Sequence, residues 1–262
     1  MDGLPNLTYV DITFSRILPL WTAKSDASLA RLKTFHDTIL VPTDKANAPN
    51  DGGLVQWNHD HFDRMINLED VLLRFTADKI LVISLNSLVS LAHLRVFDVH
   101  FTISGPASFW SVHNCIDQLD GMSLPHVEEL RLSVTCGTGW HQLFNKHYVH
   151  SLYNENRGLV PLFFSAFPNV RFLTLRLKTC NVYAGPSISA AQVGAGRVLT
   201  PDWLVGHVRK DFPAVAKISI EFPTFAAGDV QVVSRLAELL GQGWSVRSDQ
   251  LGIFCESKPG IV

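Results

Sequence analysis

The sequence predicts an α/β chain of five or six strand–helix units stacked side by side, a solenoid with a mainly parallel sheet on its concave side and helices outside. Two observations carry this. An eleven-residue template recurs along the chain, and helix start and stop signals fill several of the gaps between its copies. The template reads "LPNLTYVDITF" from Leu4, "LAHLRVFDVHF" from Leu91, "LPHVEELRLSV" from Leu124, "FPNVRFLTLRL" from Phe167 and "FPAVAKISIEF" from Phe212. Positions 1, 4, 7, 9 and 11 are apolar in every copy, and position 2 is proline in four of the five. The last four starts lie 33, 43 and 45 residues apart, and the first gap of 87 residues is close to two such units. A strand–helix unit cannot bury its apolar face alone, so a recurrent one must stack on its neighbours.

Taken in chain order, the first strand falls near residues 8–14, where Val10, Ile12 and Phe14 share one face by the two-residue period of a strand. "SDASLARLKTFHDTIL" then places Leu29, Leu32, Phe35 and Ile39 on a helical stripe starting near Asp26. Further strands follow near 95–101, 128–134 and 171–177, each after the same turn-like opening. The proline at position 2 cannot donate to a ladder, which places it in an extended lead-in before the strand. "TPDWLVGHVRK" has Thr200 as N-cap, Pro201 at the first helical position and Asp202 in the positive first turn, ahead of a strand near 216–222. "GDVQVVSRLAELLGQG" runs from Asp229 with Val230, Val233, Leu236 and Leu240 on one face and stops at Gly241. A degenerate copy at 250–255 puts Leu251, Ile253 and Cys255 at positions 7, 9 and 11. The expected organisation is one domain over residues 1–262.

With the pattern laid out, the motif resembles the leucine-rich repeat, whose L-x-x-L-x-x-L-x-L spacing is met by Leu124, Val127, Leu130 and Leu132 and by Phe167, Val170, Leu173 and Leu175. The "LPNL" and "FPNV" openings and the long, irregular spacing look most like the substrate-binding part of F-box/leucine-rich-repeat proteins of the fungal type. That resemblance implies a non-catalytic protein-interaction module, the substrate-recognition part of a ubiquitin-ligase receptor. The position just after the template holds Ser15, Thr102, Thr135, Lys178 and Pro223, where that family has Asn or Cys. Hydroxyls can replace that hydrogen bonding in three copies. No F-box is found, and the first copy opens at Leu4, so docking to the ubiquitin-ligase scaffold is not expected of this chain.

Composition narrows the function classes. Lys and Arg number 22 against 24 Asp and Glu, a formal charge of −2, so no overall basic field exists to draw in nucleic acid or anionic lipid. The start "MDGLPNLTYV" lacks the charged-then-apolar pattern of a secretory signal, and runs such as "LVPLFF" fall far short of the roughly 20 residues of a membrane helix. Cys115, Cys136, Cys180 and Cys255 form no CxxC pair, which fits free thiols in an intracellular protein, cytoplasmic or nuclear. No cofactor is expected.

Three stretches imitate chemistry. "WNHDHFDRM" contains His59, His61 and Asp63, an HxHxD that resembles the start of the metallo-β-lactamase motif; it supports the alternative function, a metal-dependent hydrolase. Arg64 stands where that family has its next His, and the competing reading is an exposed polar helix start before the apolar run Met65, Ile66, Leu68, Val71 and Leu72. "GTGWHQLFNKHYVH" supplies His141, His147 and His150 without a carboxylate or Cys, and "VGAGRV" lacks the third glycine and the strand–helix context of a nucleotide loop.

The partner-binding face is expected at positions 6, 8 and 10, which point away from the core. In a parallel stack, equal positions sit about 4.8 Å apart. The expected columns are Tyr9, Val96, Glu129, Phe172, Lys217; Asp11, Asp98, Arg131, Thr174, Ser219; and Thr13, His100, Ser133, Arg176, Glu221. From them Tyr9, Asp98, His100, Arg131, Phe172, Arg176 and Lys217 are the candidate contacts for a protein partner, with Phe172, beside Arg131 and Arg176, as the anchor. The bare edge of the first strand is expected to favour self-association.

Overall fold

The computed structural model describes residues 7–14, 26–40, 55–58, 60–76, 81–103, 119, 121–136, 164–179, 201–221 and 230–258. In chain order these form β1 (Tyr9–Phe14), the single turn α1 (Asp26–Leu29), β2 (Thr34–Leu40), β3 (Val55–Asn58), β4 (Asp70–Thr76), β5 (Leu81–Ser84), β6 (Val96–Ile103), β7 (Glu129–Cys136), β8 (Phe172–Thr179), α2 (Pro201–Asp211), β9 (Lys217–Glu221), α3 (Val230–Leu240), β10 (Trp244–Asp249) and β11 (Gly252–Ser257). A nine-stranded sheet takes the order β1-β2-β4-β6-β7-β8-β9-β11-β10, while β3 and β5 pair by themselves. The seven strands from β1 to β9 are parallel.

One turn precedes the strands. The position-4 N–H donates to the position-1 carbonyl at Leu32→Leu29 (3.1 Å), Leu68→Met65 (3.0 Å), Leu94→Leu91 (3.2 Å), Val127→Leu124 (3.2 Å) and Val215→Phe212 (3.1 Å). Position 2 is therefore the second residue of a tight turn and not an extended lead-in, and proline suits it because its fixed φ near −65° matches that site. Position 5 then carries an unbroken ladder: the N–H groups of Lys33, Glu69, Arg95, Glu128, Arg171 and Ala216 bond the carbonyls of Thr8, Lys33, Glu69, Arg95, Glu128 and Arg171, all at 2.8–2.9 Å. Position-3 asparagines seal the same side, Asn67 donating to the Ala30 carbonyl at 2.6 Å and Asn169 to the Pro125 carbonyl at 2.9 Å.

These bonds identify two copies that the sequence reading misassigned. The helix expected over "SDASLARLKTFHDTIL" is the single turn α1 followed by β2. Leu29, Leu32, Phe35 and Ile39 are template positions 1, 4, 7 and 11, a spacing that also matches a helical stripe, and Asp37 at position 9 broke the strand signal. The helix expected before Met65 is a short 3₁₀ turn, Asp60–Arg64, and "MINLEDVLLRF" is a copy ending in β4. The 87-residue gap thus holds three units, with starts 25, 36 and 26 residues apart. In the last of these the match extends upstream: β3 and β5, the 3₁₀ turns Asp60–Arg64 and Asn86–Ser90, and the starts Met65 and Leu91 are each offset by 26 residues.

The C-terminal copy is also corrected. β11 spans Gly252–Ser257, and it runs antiparallel to β9 and to β10. Leu251 sits in the hairpin turn, 71% exposed, whereas Ile253 and Cys255 are buried as expected. Burial pushes the Cys255 thiol up to about 12, so it is an inert core group.

Template positions 1, 4, 7 and 9 make the core. Leu91, Leu94, Phe97 and Val99 are buried, as are Leu124, Val127, Leu130 and Leu132, and Phe167, Val170, Leu173 and Leu175. Aromatic rings bridge the copies, Phe75 stacking on Phe101 at 5.4 Å and Phe97 on Phe167 at 5.5 Å. Each such side chain contributes about 1.5–3 kcal/mol by leaving water. α2 adds Leu204, Val205 and Val208 to the same cluster, and α3 adds Leu236 and Leu240. Both helices fall where the cap signals put them. α3 ends at Gly241, whose φ of +81° only glycine adopts freely; its N–H bonds the Ala237 carbonyl, and Arg209 of α2 donates to the Leu240 carbonyl at 2.9 Å. Among the described residues, no helix is long and apolar enough to cross a membrane.

Candidate functional site

The face opposite the core is polar, and its columns are longer than the five copies suggested. The register places Thr34, His36 and Thr38 of β2, then Asp70, Leu72 and Arg74 of β4, between the β1 residues and those of β6. Tyr9 therefore neighbours Thr34, and three strand steps separate it from Val96. β11 and β10 extend the middle column beyond Ser219 with Phe254 and Arg247. The order of the β6 to β9 residues is as the sequence reading had it.

At the β1 end, Tyr9 is exposed and meets His36 edge-on at 5.2 Å. Its hydroxyl donates to Asp11 Oδ2 at 3.2 Å and lies 3.2 Å from His36 Nδ1. Two strands along from Tyr9, Asp70 is half-buried, and that burial raises its pKa from the usual value, opposed by His36 and Arg131. Arg74 donates to the Thr38 hydroxyl at 3.3 Å.

The middle of the face is an ion network centred on Asp98. This residue, expected at the surface, is buried. Its Oδ2 lies 3.6 Å from Arg176 and 3.8 Å from Arg131. Its Oδ1 is 3.0 Å from His100 Nε2, but the two lack the alignment of a hydrogen bond. Both arginines have a closer partner: Arg131 Nε donates to Glu129 at 2.7 Å, and Arg176 Nε to Glu221 at 2.8 Å. Burial would lower the Arg131 pKa, but Glu129 and then Asp98 outweigh it and hold the guanidinium above its usual value. Ser133, between His100 and Arg176 in register, is buried too.

The β8–β11 end differs. Phe172 is 38% exposed, with the Arg171 guanidinium 5.8 Å from its ring centre, and Lys217 lies beside it in register. Along the middle column the small residues Thr174 and Ser219 lead to Phe254, whose ring carries the Arg247 guanidinium at 4.8 Å. Two aromatic side chains, each beside a cation, thus flank a low strip of small residues. Sequence reasoning missed Phe254 because it took β11 for a degenerate parallel copy and left it out of the columns, although its phase put Phe254 on the open face. It missed His36, Asp70 and Arg74 because it did not find their copies.

The metal motif gains no geometry. His59 lies outside the described residues, and the His61 side chain is not among those described; Asp63 is exposed and accepts a hydrogen bond from the Ser90 hydroxyl at 2.9 Å. The stretches holding His141, His147, His150 and "VGAGRV" also lie outside them. Among the described residues, no group of three or more His, Cys, Asp or Glu could hold a metal ion. No protein-family model, curated protein or solved structure matches this chain.

Proposed function

We propose that the chain is a leucine-rich-repeat-like solenoid that acts without catalysis, its polar sheet face being the binding surface for a protein partner. Seven parallel strands in unbroken register, the six after β1 each led by the same turn and ladder, support the repeat reading, and the 25- and 26-residue spacings of the two early copies fall within the 20–29 residues of a regular leucine-rich repeat. The observation that carries the binding surface is Phe172, an aromatic side chain left exposed on a mainly polar face, far from the exposed Tyr9 and joined across small residues to Phe254. Anchors of this kind sit at the centre of interfaces, where truncation costs about 2 kcal/mol or more. Arg176, already oriented by Glu221, supplies a directed donor at the rim.

The test is affinity capture with the intact chain, identification of the retained protein, and repetition with that protein purified. Phe172→Ala is expected to abolish binding while leaving the melting temperature nearly unchanged; Arg176→Glu is expected to abolish binding too, with a lowered melting temperature because it sets a third carboxylate against Asp98 and Glu221. Retention by both variants, or unfolding of Phe172→Ala, removes the sheet face as the binding surface. Within this reading the partner is a ubiquitin-ligase substrate, whose cellular level rises when the chain is deleted. An unchanged level ends the ligase role and leaves the interaction module in place.

A further inference from the structure

A second surface lies along the turns that precede the strands and borders the sheet face at Arg171, whose guanidinium also lies 5.8 Å from the Phe172 ring centre. Positions 3 and 5 of successive copies line a groove of about 390 Å³ running from Ala92 to Ala214. Its charged and polar groups are His93, Arg95, His126, Glu128, Asn169 and Arg171. Position 5 alternates in sign along the sheet, reading Lys33, Glu69, Arg95, Glu128 and Arg171. The first pair closes, Lys33 Nζ meeting Glu69 at 2.8 Å. Inside the groove the pattern stops closing: among the described residues neither Arg95, Glu128 nor Arg171 has an ion-pair partner within 4.0 Å. Two guanidiniums and two imidazoles thus surround one carboxylate, all exposed.

We infer that this groove binds an acidic peptide segment in extended form. The excess of cationic side chains selects carboxylates. Length argues for a chain and against a single small anion: four adjacent copies span roughly 14 Å, the reach of about four extended residues. The asparagine seal at Asn169, spent on the Pro125 carbonyl, keeps the groove floor closed against the backbone ladder beneath it. Carboxylates of the bound segment take the places that neighbouring side chains leave open beside Arg95 and Arg171.

The experiment is a fluorescence-anisotropy titration of the full chain with a labelled pentaglutamate peptide at constant ionic strength. Saturable binding is expected. Arg95→Gln combined with Arg171→Gln weakens it about tenfold or more, and Glu128→Gln tightens it. Lys217→Gln, which removes one positive charge from the sheet face, leaves it unchanged. Inorganic pyrophosphate at matched ionic strength does not displace the peptide. No saturable binding by the native chain, an equal loss in Lys217→Gln, no response to Glu128→Gln, or displacement by pyrophosphate as effective as by unlabelled peptide would each overturn the inference.

Discussion

Asp37 replaces an apolar residue at position 9 of its copy, where the other described copies have Leu73, Val99, Leu132, Leu175 and Ile220. It is 2% exposed, and its pKa is pushed up from 3.8 to about 7, first by burial and then by Asp11, against a backbone hydrogen bond from Thr38. The folded chain therefore keeps a proton that the unfolded chain gives up from about pH 4 upward. Between those two pKa values stability falls as pH rises, at 1.36 kcal/mol per pH unit, reaching a loss of about 4 kcal/mol once the folded carboxyl ionises near pH 7. Asp37→Asn keeps the shape and removes the ionisation. Its stability relative to the native chain should grow by about 2–3 kcal/mol between about pH 5 and about pH 8. Asp37→Leu should add to that the burial of an apolar side chain, about 1.5–3 kcal/mol. Urea unfolding followed by tryptophan fluorescence reads both differences. A difference between Asp37→Asn and the native chain that is the same at the two pH values refutes the reasoning, because the carboxyl would then titrate alike in the folded and unfolded chains.

Other expectations concern particular contacts. Asp98→Asn removes the charge facing Arg131 and Arg176; since Glu129 and Glu221 still hold both guanidiniums, urea unfolding should show a loss of only about 1–2 kcal/mol. Gly252→Ala drives a Cβ into the Ile220 carbonyl oxygen of the neighbouring strand and should cost about 1–3 kcal/mol, with thermal melting as the measure; an unchanged melting temperature would mean that β11 does not pack on β9 as described. β1 and β10 each pair on one side only among the described residues, so sedimentation should show self-association growing with concentration.

The sheet was legible in the sequence where all five apolar positions were filled and position 8 was polar or small; in "MINLEDVLLRF" Met65, Leu68, Val71, Leu73 and Phe75 fill all five, but Leu72 at position 8 hides the strand period. It became illegible where one substitution changed the apparent period. Asp37 left Leu29, Leu32, Phe35 and Ile39 to read as a helix, and the missed copy shifted every neighbour assigned to Tyr9 and Asp11. The hairpin at the C-terminus failed for another reason: alternation records which face a residue occupies, not strand direction, so β11 looked like one more parallel copy. Of the face residues, Phe172 and Lys217 lie side by side as expected, and so do His100, Ser133 and Arg176. Burial of Asp98 could not be read from the template, since it depends on two arginines folding over it from β7 and β8.

Parallel stacking also bears on which end of this face would suit the proposed partner. It sets equal positions about 4.8 Å apart, so a column of like charges would repel, and opposite charges must alternate or be shared between strands. From β6 to β9 that requirement is met internally: Asp98 is shared by two arginines, each of which has its own glutamate. A partner covering those groups would strip their water and find few donors free to repay it. Covering the strip from Phe172 through Thr174 and Ser219 to Phe254 has the opposite balance. There the exposed groups are aromatic or small, Ser219 being already buried, and the cations at Lys217 and Arg247 stay at the margin, where they can remain hydrated. Desolvation therefore favours the β8–β11 end, and Phe254→Ala should weaken partner binding as Phe172→Ala does, while His36→Ala, at the far end, should leave it intact.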